Sequence, residues 1–456
     1  MTAGSLGSSA GLKRMSFWRA CAVLSPLALA PLASAHADPT VEAPSQTFGW
    51  HVQSTLVDQA TAGFASPYRG PNSLDPAARG RETFDLTLFA GASPWSGAEV
   101  WINPEIDQGF GLSDTLGAAG FPSGEAYKVG KAHPYYRTQR LFFRQTLNLG
   151  GEASRVEADQ NVLAASQTAN RLVLTLGKFS VGDVFDTNRY AHDPRGDFFN
   201  WTAIDAATFD YAADAWGYSQ GAAGEWYQGA WTARLGLFAM SRIPNGEHLD
   251  SSFGQFQTIA EGERRFDLWG QPGALKLTGY LSRARMGTYA AALDQAAPTG
   301  RAPDVLGVKR YASHAGISLN LQQQVSPDLG LFARAGLADG HQQAYEFTDV
   351  DKSLSLGASL SGARWGRGDD AVGAVLLVND ISHDFRAYLA AGGLGILVGD
   401  GKLPNKGAET IVETYYNLAA FKGVHVTGDY QLIVNPAYNA DRGPVSVLAL
   451  RLHAGL

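Results

Sequence analysis

Cysteine is almost missing from this chain: one residue, Cys21, in 456. Cys21 sits in an N-terminal stretch that carries the marks of a segment to be removed, so disulfide staples and thiolate metal sites are excluded from the remainder. A core of this size does not need them. Charge is scarce too, at 17% of residues against roughly 25% in ordinary soluble domains. Its balance is acidic, −7 overall, which excludes the basic face that nucleic acid demands. Past the N-terminus no apolar window reaches the ~20 residues of a membrane helix. The longest, residues 371–378 and the glycine-interrupted 389–399, both fall short. A chain like this either avoids the bilayer or crosses it as a closed β-barrel, because open backbone in lipid would strand its polar groups.

Glycine, by contrast, is abundant, 53 residues, where ~7% of a chain is usual. It follows no three-residue period, so collagen is excluded, and 11% aromatic content excludes general disorder. The N-terminus reads as a secretory signal: Lys13, Arg14 and Arg19, then the apolar run Ala20 to Leu32, then Ala33-Ser34-Ala35 and Ala35-His36-Ala37. Cleavage is expected after Ala37, with Ala35 the alternative, and Met15 is an alternative start. Removing 1–37 takes away three basic and no acidic residues, leaving a more acidic mature chain. Residues 38–46 then form a short N-terminal segment and 47–456 a single barrel domain.

Period-two alternation runs through that domain. Phe48, Trp50, Val52 and Leu56 face one way, and His51, Gln53 and Thr55 the other. Phe84, Leu86 and Leu88 alternate with Thr83, Asp85 and Thr87. Leu141, Phe143, Leu147 and Leu149 alternate with Arg140, Phe142, Arg144 and Asn148. Helical faces would repeat every three to four residues. Sixteen such segments fit, near 47–56, 82–91, 97–103, 137–149, 170–179, 217–227, 230–240, 257–269, 274–285, 310–324, 330–338, 352–361, 371–379, 408–419, 423–434 and 444–456. Long connections, including 104–136 and 180–216, alternate with short turns such as 92–96 and 228–229. That rhythm and the even strand count belong to an all-β transmembrane antiparallel barrel of the bacterial outer membrane. One connection breaks it: 150–169 is too long for a periplasmic turn and is expected to be partly helical.

Catalytic patterns are weak. Gly217-Tyr218-Ser219-Gln220-Gly221 has the G-x-S-x-G form, but that motif needs a strand-to-helix turn, and here it opens an alternating strand. A barrel-embedded hydrolase using Ser219 is the rival from another class. The ten histidines form no zinc pattern. Asp349-Val350-Asp351 reads as a solvated acidic turn rather than a calcium loop. No cofactor is expected. The informative residues lie inside the wall. Arg at a lipid-facing midplane position costs ~2–4 kcal/mol, so Arg140 and Arg144 belong in the lumen. By the same parity Asp85, Glu99, Trp101 and Asn103 also face inward. Arg outnumbers Lys by 26 to 10, favouring forked hydrogen bonding and planar stacking. Facing acids and bases with Trp95, Trp101 or Trp201 nearby suit neutral polyols, although Trp is more often used at membrane interfaces.

Seven blocks give the chain a resemblance: GPNSL (70–74), SGAEVWINPE (96–105), RLFFRQ (140–145), GKFSVGDVFD (177–186), AHDPRGDFFNW (191–201), ETYYNL (413–418) and YNADRGP (438–444). With these it resembles the carbohydrate-selective porins of Gram-negative outer membranes, the glucose-porin type. The resemblance implies 16 strands, inward-folded loops at 104–136 and 180–216 that narrow the pore, and passive diffusion of sugars into the periplasm. It places Arg140, Arg144 and Glu99 on matching wall positions, and Asp193, Arg195 and Asn200 in the matching loop block. Such barrels usually end in an aromatic, whereas this chain ends in Leu456. Expected partners are sugars as permeating solutes, outer-membrane lipid and the barrel-assembly machinery. A general diffusion porin without sugar preference stays open at this point, as does monomer against homo-oligomer.

Overall fold

The computed structural model describes residues 46–77, 79–126 and 129–456. The expected signal segment, its cleavage site and residues 38–45 lie outside the described residues. Among the described residues, sixteen antiparallel strands follow one another around a closed barrel, with the last returning to the first. They are β1 Phe48–Thr61, β2 Gly80–Ala92, β3 Ala98–Gly109, β4 Lys131–Val156, β5 Ala165–Phe179, β6 Ser219–Gln228, β7 Trp231–Ala239 and β8 Phe256–Leu268. The second half comprises β9 Gln271–Met286, β10 Arg310–Ser326, β11 Leu329–Ala338, β12 Lys352–Gly362, β13 Arg367–Asp380, β14 Glu409–Phe421, β15 Val424–Val434 and β16 Val445–Gly455. The seam is a full ladder from Gln53↔Gly455 to Thr61↔Val447, which leaves no sheet edge in lipid.

Alternation sets the two faces. On β16, Leu448, Leu450 and Leu452 are exposed while Val447, Ala449 and Arg451 are buried. On β4, Leu141 points out and Phe142 in. Apolar side chains outward and polar ones inward is the arrangement that lipid outside and water inside favour. Exposed Phe48, Trp50, Trp95, Trp226, Trp231, Trp269 and Phe421 all lie beside the strand ends joined by short turns. They form the interfacial aromatic belt of the periplasmic rim. Trp95 belongs to this belt, with its Nε1 donating to Gln145 Oε1 at 2.8 Å, and so it offers no ring face to the lumen.

Two connections differ from the sequence reading. The loop expected over 104–136 is only 110–130, because β3 continues through Pro104 to Gly109. Proline cannot donate to a ladder, and the register absorbs it: Asn103 faces Arg140, Pro104 faces Thr138, and Gln139 is left as a bulge. The connection 150–169 is strand rather than helix, with β4 and β5 staying paired out to Val156↔Ala165. Among the described residues three short helices, α1 Trp201–Ile204, α2 Tyr289–Ala296 and α3 His383–Ala390, lie in outer loops where only loop was expected. Loop 2 (110–130) and loop 3 (180–218) fold inward, with Phe121, Phe185, Phe198, Phe199 and Trp201 buried.

Candidate functional site: a charged chamber inside the barrel

Inward-facing charges of the far wall hold loops 2 and 3 in the lumen. On β14, Glu409 accepts the backbone N–H groups of Ala119 at 3.0 Å, Gly120 at 2.6 Å and Ala437 at 2.8 Å. Four residues along the same face, Glu413 accepts Phe199 N–H at 2.5 Å and Asn200 N–H at 3.1 Å. From β11, Arg334 donates to the carbonyls of Ala191 and Ala203 at 2.8 Å and Ile204 at 3.1 Å, and pairs with Asp186 at 3.2 Å. Arg451 of β16 donates to Pro194 O at 2.6 Å and Asp197 O at 3.0 Å. Buried loop backbone needs partners, and ionised ones make the strongest bonds.

The loops so held leave a space against β1–β4, a cavity of about 350 Å³ bordered by Arg140, Arg195, Glu105, Glu125, Asp183, Tyr218 and Trp201, among others. Arg140 makes a two-bonded fork with Asp183 of loop 3, Nε to Oδ2 at 2.8 Å and Nη2 to Oδ1 at 2.6 Å. Its guanidinium lies 4.9 Å from the Tyr218 ring centre. Burial alone would raise the Asp183 carboxyl, but Arg140 outweighs it and holds Asp183 below its ordinary value. Arg195 reaches from loop 3 toward three carboxylates: Glu125 at 3.4 Å, Asp85 at 3.8 Å and Glu105 at 3.9 Å. These are longer than the ~2.7–2.9 Å of a good charged hydrogen bond. Among the described residues Arg195 Nε and Glu125 Oε2, both buried, make no hydrogen bond. Burial pushes the Glu125 carboxyl up, and Arg195 only partly offsets it. Gln139, the bulge residue, donates to Glu105 at 2.9 Å and Asp107 at 3.2 Å.

The aromatic side of the chamber is Trp201, stacked on Phe121 at 5.5 Å with planes 7° apart. His192 lies beside it, with Nε2 3.0 Å from Gly182 O and Nδ1 3.5 Å from Asp205. Burial disfavours the charged ring, but Asp205 beside Nδ1 outweighs it and carries the pKa up to about 8.

Of the residues singled out in the sequence, Arg140, Asp193 and Arg195 border the cavity. Asp85 lies behind Arg195 and is 1% exposed. Arg144, Glu99 and Asn103 face inward but contact the turn 157–164: Arg144 Nη1 donates to Asn161 O at 2.8 Å and meets Glu99 at 3.2 Å. None of the three borders the cavity. Trp101 is fully buried, its ring lying where any side chain at Gly91 would sit, and it presents no face to a solute. Asn200 is a strut rather than a lining residue: it caps α1 through Thr202 N–H and donates to Gly120 O and Gln431, all at 3.0 Å. Asp183, Glu105, Glu125, Gln139 and Tyr218 were missed. Parity carried past Pro104 would have found Glu105 and Asp107. Ser219 opens β6, its hydroxyl donating to Ala239 O at 2.5 Å, in a strand-to-strand setting rather than an elbow.

A closed sixteen-stranded barrel with a girdled apolar exterior and loops packed into its lumen defines a porin. The profile described as "Carbohydrate-selective porin, OprB family" matches residues 71–456, and the chain belongs to that family. It is a sugar porin of the Gram-negative outer membrane. Among solved structures it is similar to the high-pH structure of Pseudomonas putida OprB, with TM-score 0.68 and 17% identity over 90% of this chain and 94% of that one. It also matches that protein's low-pH structure, with TM-score 0.48 and 13% identity over 90% and 93%. A mutant of Rh. blastica porin matches with TM-score 0.43 and 9% identity over 90% and 100%. Comparison with curated proteins returns no match.

Proposed function

We propose that neutral monosaccharides cross this barrel through the chamber between Arg140 and Arg195, without catalysis or a cofactor. The observation that carries this reading is Arg195, whose guanidinium approaches three carboxylates without completing short bonds to them. A polyol hydroxyl both donates and accepts, so it can bond to Arg195 and to Glu125 at once. An ion would be held at one group and repelled by its neighbour. Trp201 and Tyr218 supply flat apolar faces for the ring. A volume near 350 Å³ lies at the small end of the roughly 300–1,000 Å³ typical of small-molecule sites, which supports single sugars over long oligosaccharides. Binding is weak because Arg140 is already satisfied by Asp183, and conduction requires the solute to leave. Its remaining partners on this reading are outer-membrane lipid around the apolar band and the machinery that assembles such barrels.

Liposome swelling tests the reading. Neutral hexoses should enter faster than charged solutes of equal mass, such as hexuronates or amino acids. Rates that depend on solute size alone would leave a general diffusion porin in its place.

A further inference from the structure

The chamber has a floor as well as walls. β4 pairs with β3 only from Gln145 onward into the barrel, and β5 with β6 only from Arg171. Residues 146–170 therefore leave the wall as a two-stranded ribbon on the periplasmic side. Two register shifts, between Asn148 and Gly150 and between Gly150 and Ala153, bend it. Gly150 and Gly151 take φ +99° and +88° there, backbone that other residues resist. The tip, closed by reciprocal Asp159–Val162 backbone bonds at 3.0 Å, returns into the mouth of the barrel.

Three strands catch it. Gln160 Nε2 donates to Gln53 Oε1 of β1 at 2.7 Å, and Asn103 Nδ2 of β3 donates to Asn161 Oδ1 at 2.9 Å. Arg144 of β4 donates to Asn161 O at 2.8 Å, while Leu163 N–H donates to Glu99 Oε1 at 2.7 Å. Gln160, Asn161 and Gln53 border the same cavity as Arg140 and Arg195. A plain connection between neighbouring strands needs only two to five residues. This one is far longer and ends inside the lumen.

We propose that the tip 157–164 is the exit constriction of the sugar path, and that Gln160 and Asn161 are specificity-determining residues that meet the solute after Arg140 and Arg195. Their amides each offer donors and an acceptor without net charge, so they suit hydroxyls and hold no ions. Arg144 and Glu99 are positioning residues: both spend their bonds on the tip and on each other, fixing how far it enters. The inference rests on the chamber reading above.

Two variants test it beside Arg195→Ala, which reports on the chamber alone. In the first, residues 150–169 are replaced by a two-residue Asn-Gly turn. In the second, Q160A and N161G are combined, glycine being compatible with φ +57° at Asn161. The replacement should raise single-channel conductance about two-fold or more, and both variants should raise the disaccharide-to-monosaccharide swelling ratio. The barrel's heat-modifiable mobility on gels reports folding. Wild-type conductance and ratio in a folded replacement overturn the proposal. Where the replacement fails to fold, the point variants decide, and an unchanged ratio overturns it. Altered sugar flux in Arg195→Ala with silent tip variants removes only this inference, whereas silence in all three removes the chamber reading as well.

Discussion

Arg140 and Asp183 are joined by two hydrogen bonds, at 2.8 and 2.6 Å, that fasten the start of loop 3 to the neighbouring strand β4. Both side chains are partly buried, 15% and 27% exposed, and breaking one side of such a pair leaves the other charge uncompensated, which costs more than removing both. Arg140→Ala should therefore loosen loop 3 and shift ion selectivity toward cations, since fixed positive charge is lost while Asp183 stays. Arg140→Ala combined with Asp183→Ala should recover most of the lost thermal stability and cancel the selectivity shift. Additive losses in the double variant, read by thermal denaturation and reversal potential, would show that the two act independently.

Glu413 is expected to control how tightly loop 3 fills the lumen. Its carboxylate holds the N–H groups of Phe199 and Asn200, and Glu413→Ala would leave two buried donors unmet, at ~1–3 kcal/mol each. Single-channel recordings should show a larger and noisier conductance, with the barrel still assembled. A quiet channel of wild-type conductance would mean the loop is held elsewhere.

The bulge at Gln139 predicts opposite outcomes at two residues that plain alternation would place on one face. Leu141→Arg puts a cation in lipid at ~2–4 kcal/mol and should reduce folded protein in the membrane. Gln139→Arg, one bulge away in the lumen, should assemble normally. Yields from outer-membrane fractions separate the two.

His192 gives the chamber a pH dependence. Its folded pKa of about 8 lies above the ~6.5 of a free imidazole. The stabilising contact with Asp205 is therefore fully present below pH ~6.5 and is lost as pH rises through about 8. Protease sensitivity of loop 3 should increase over that window in the wild type. His192→Gln should be equally sensitive at both ends of it.

Much of this architecture is legible in the sequence because lipid is a severe selector. Every second residue of a spanning strand must be apolar, so sixteen strands and the inward position of Arg140, Asp85 and Asn103 follow from parity alone. What parity does not carry is depth and partner. Arg144 shares a face with Arg140, yet the ribbon tip claims it, and that tip's return depends on the bend at Gly150 and Gly151, which alternation does not encode. Pro104 hid the continuation of β3 and, with it, Glu105 and Asp107. Trp101 and Asn200 look like ligand-facing residues in sequence, but close packing over Gly91 and the capping of α1 use them up.

Sugar-dependent block of single-channel current reports whether sugar passes between Arg140 and Arg195. In wild-type channels glucose should reduce the current saturably with a millimolar dissociation constant, about −4 kcal/mol. Arg195→Ala should abolish saturation while the pore still conducts. The same saturable block in Arg195→Ala, at unchanged affinity, would mean that sugar does not pass beside Arg195.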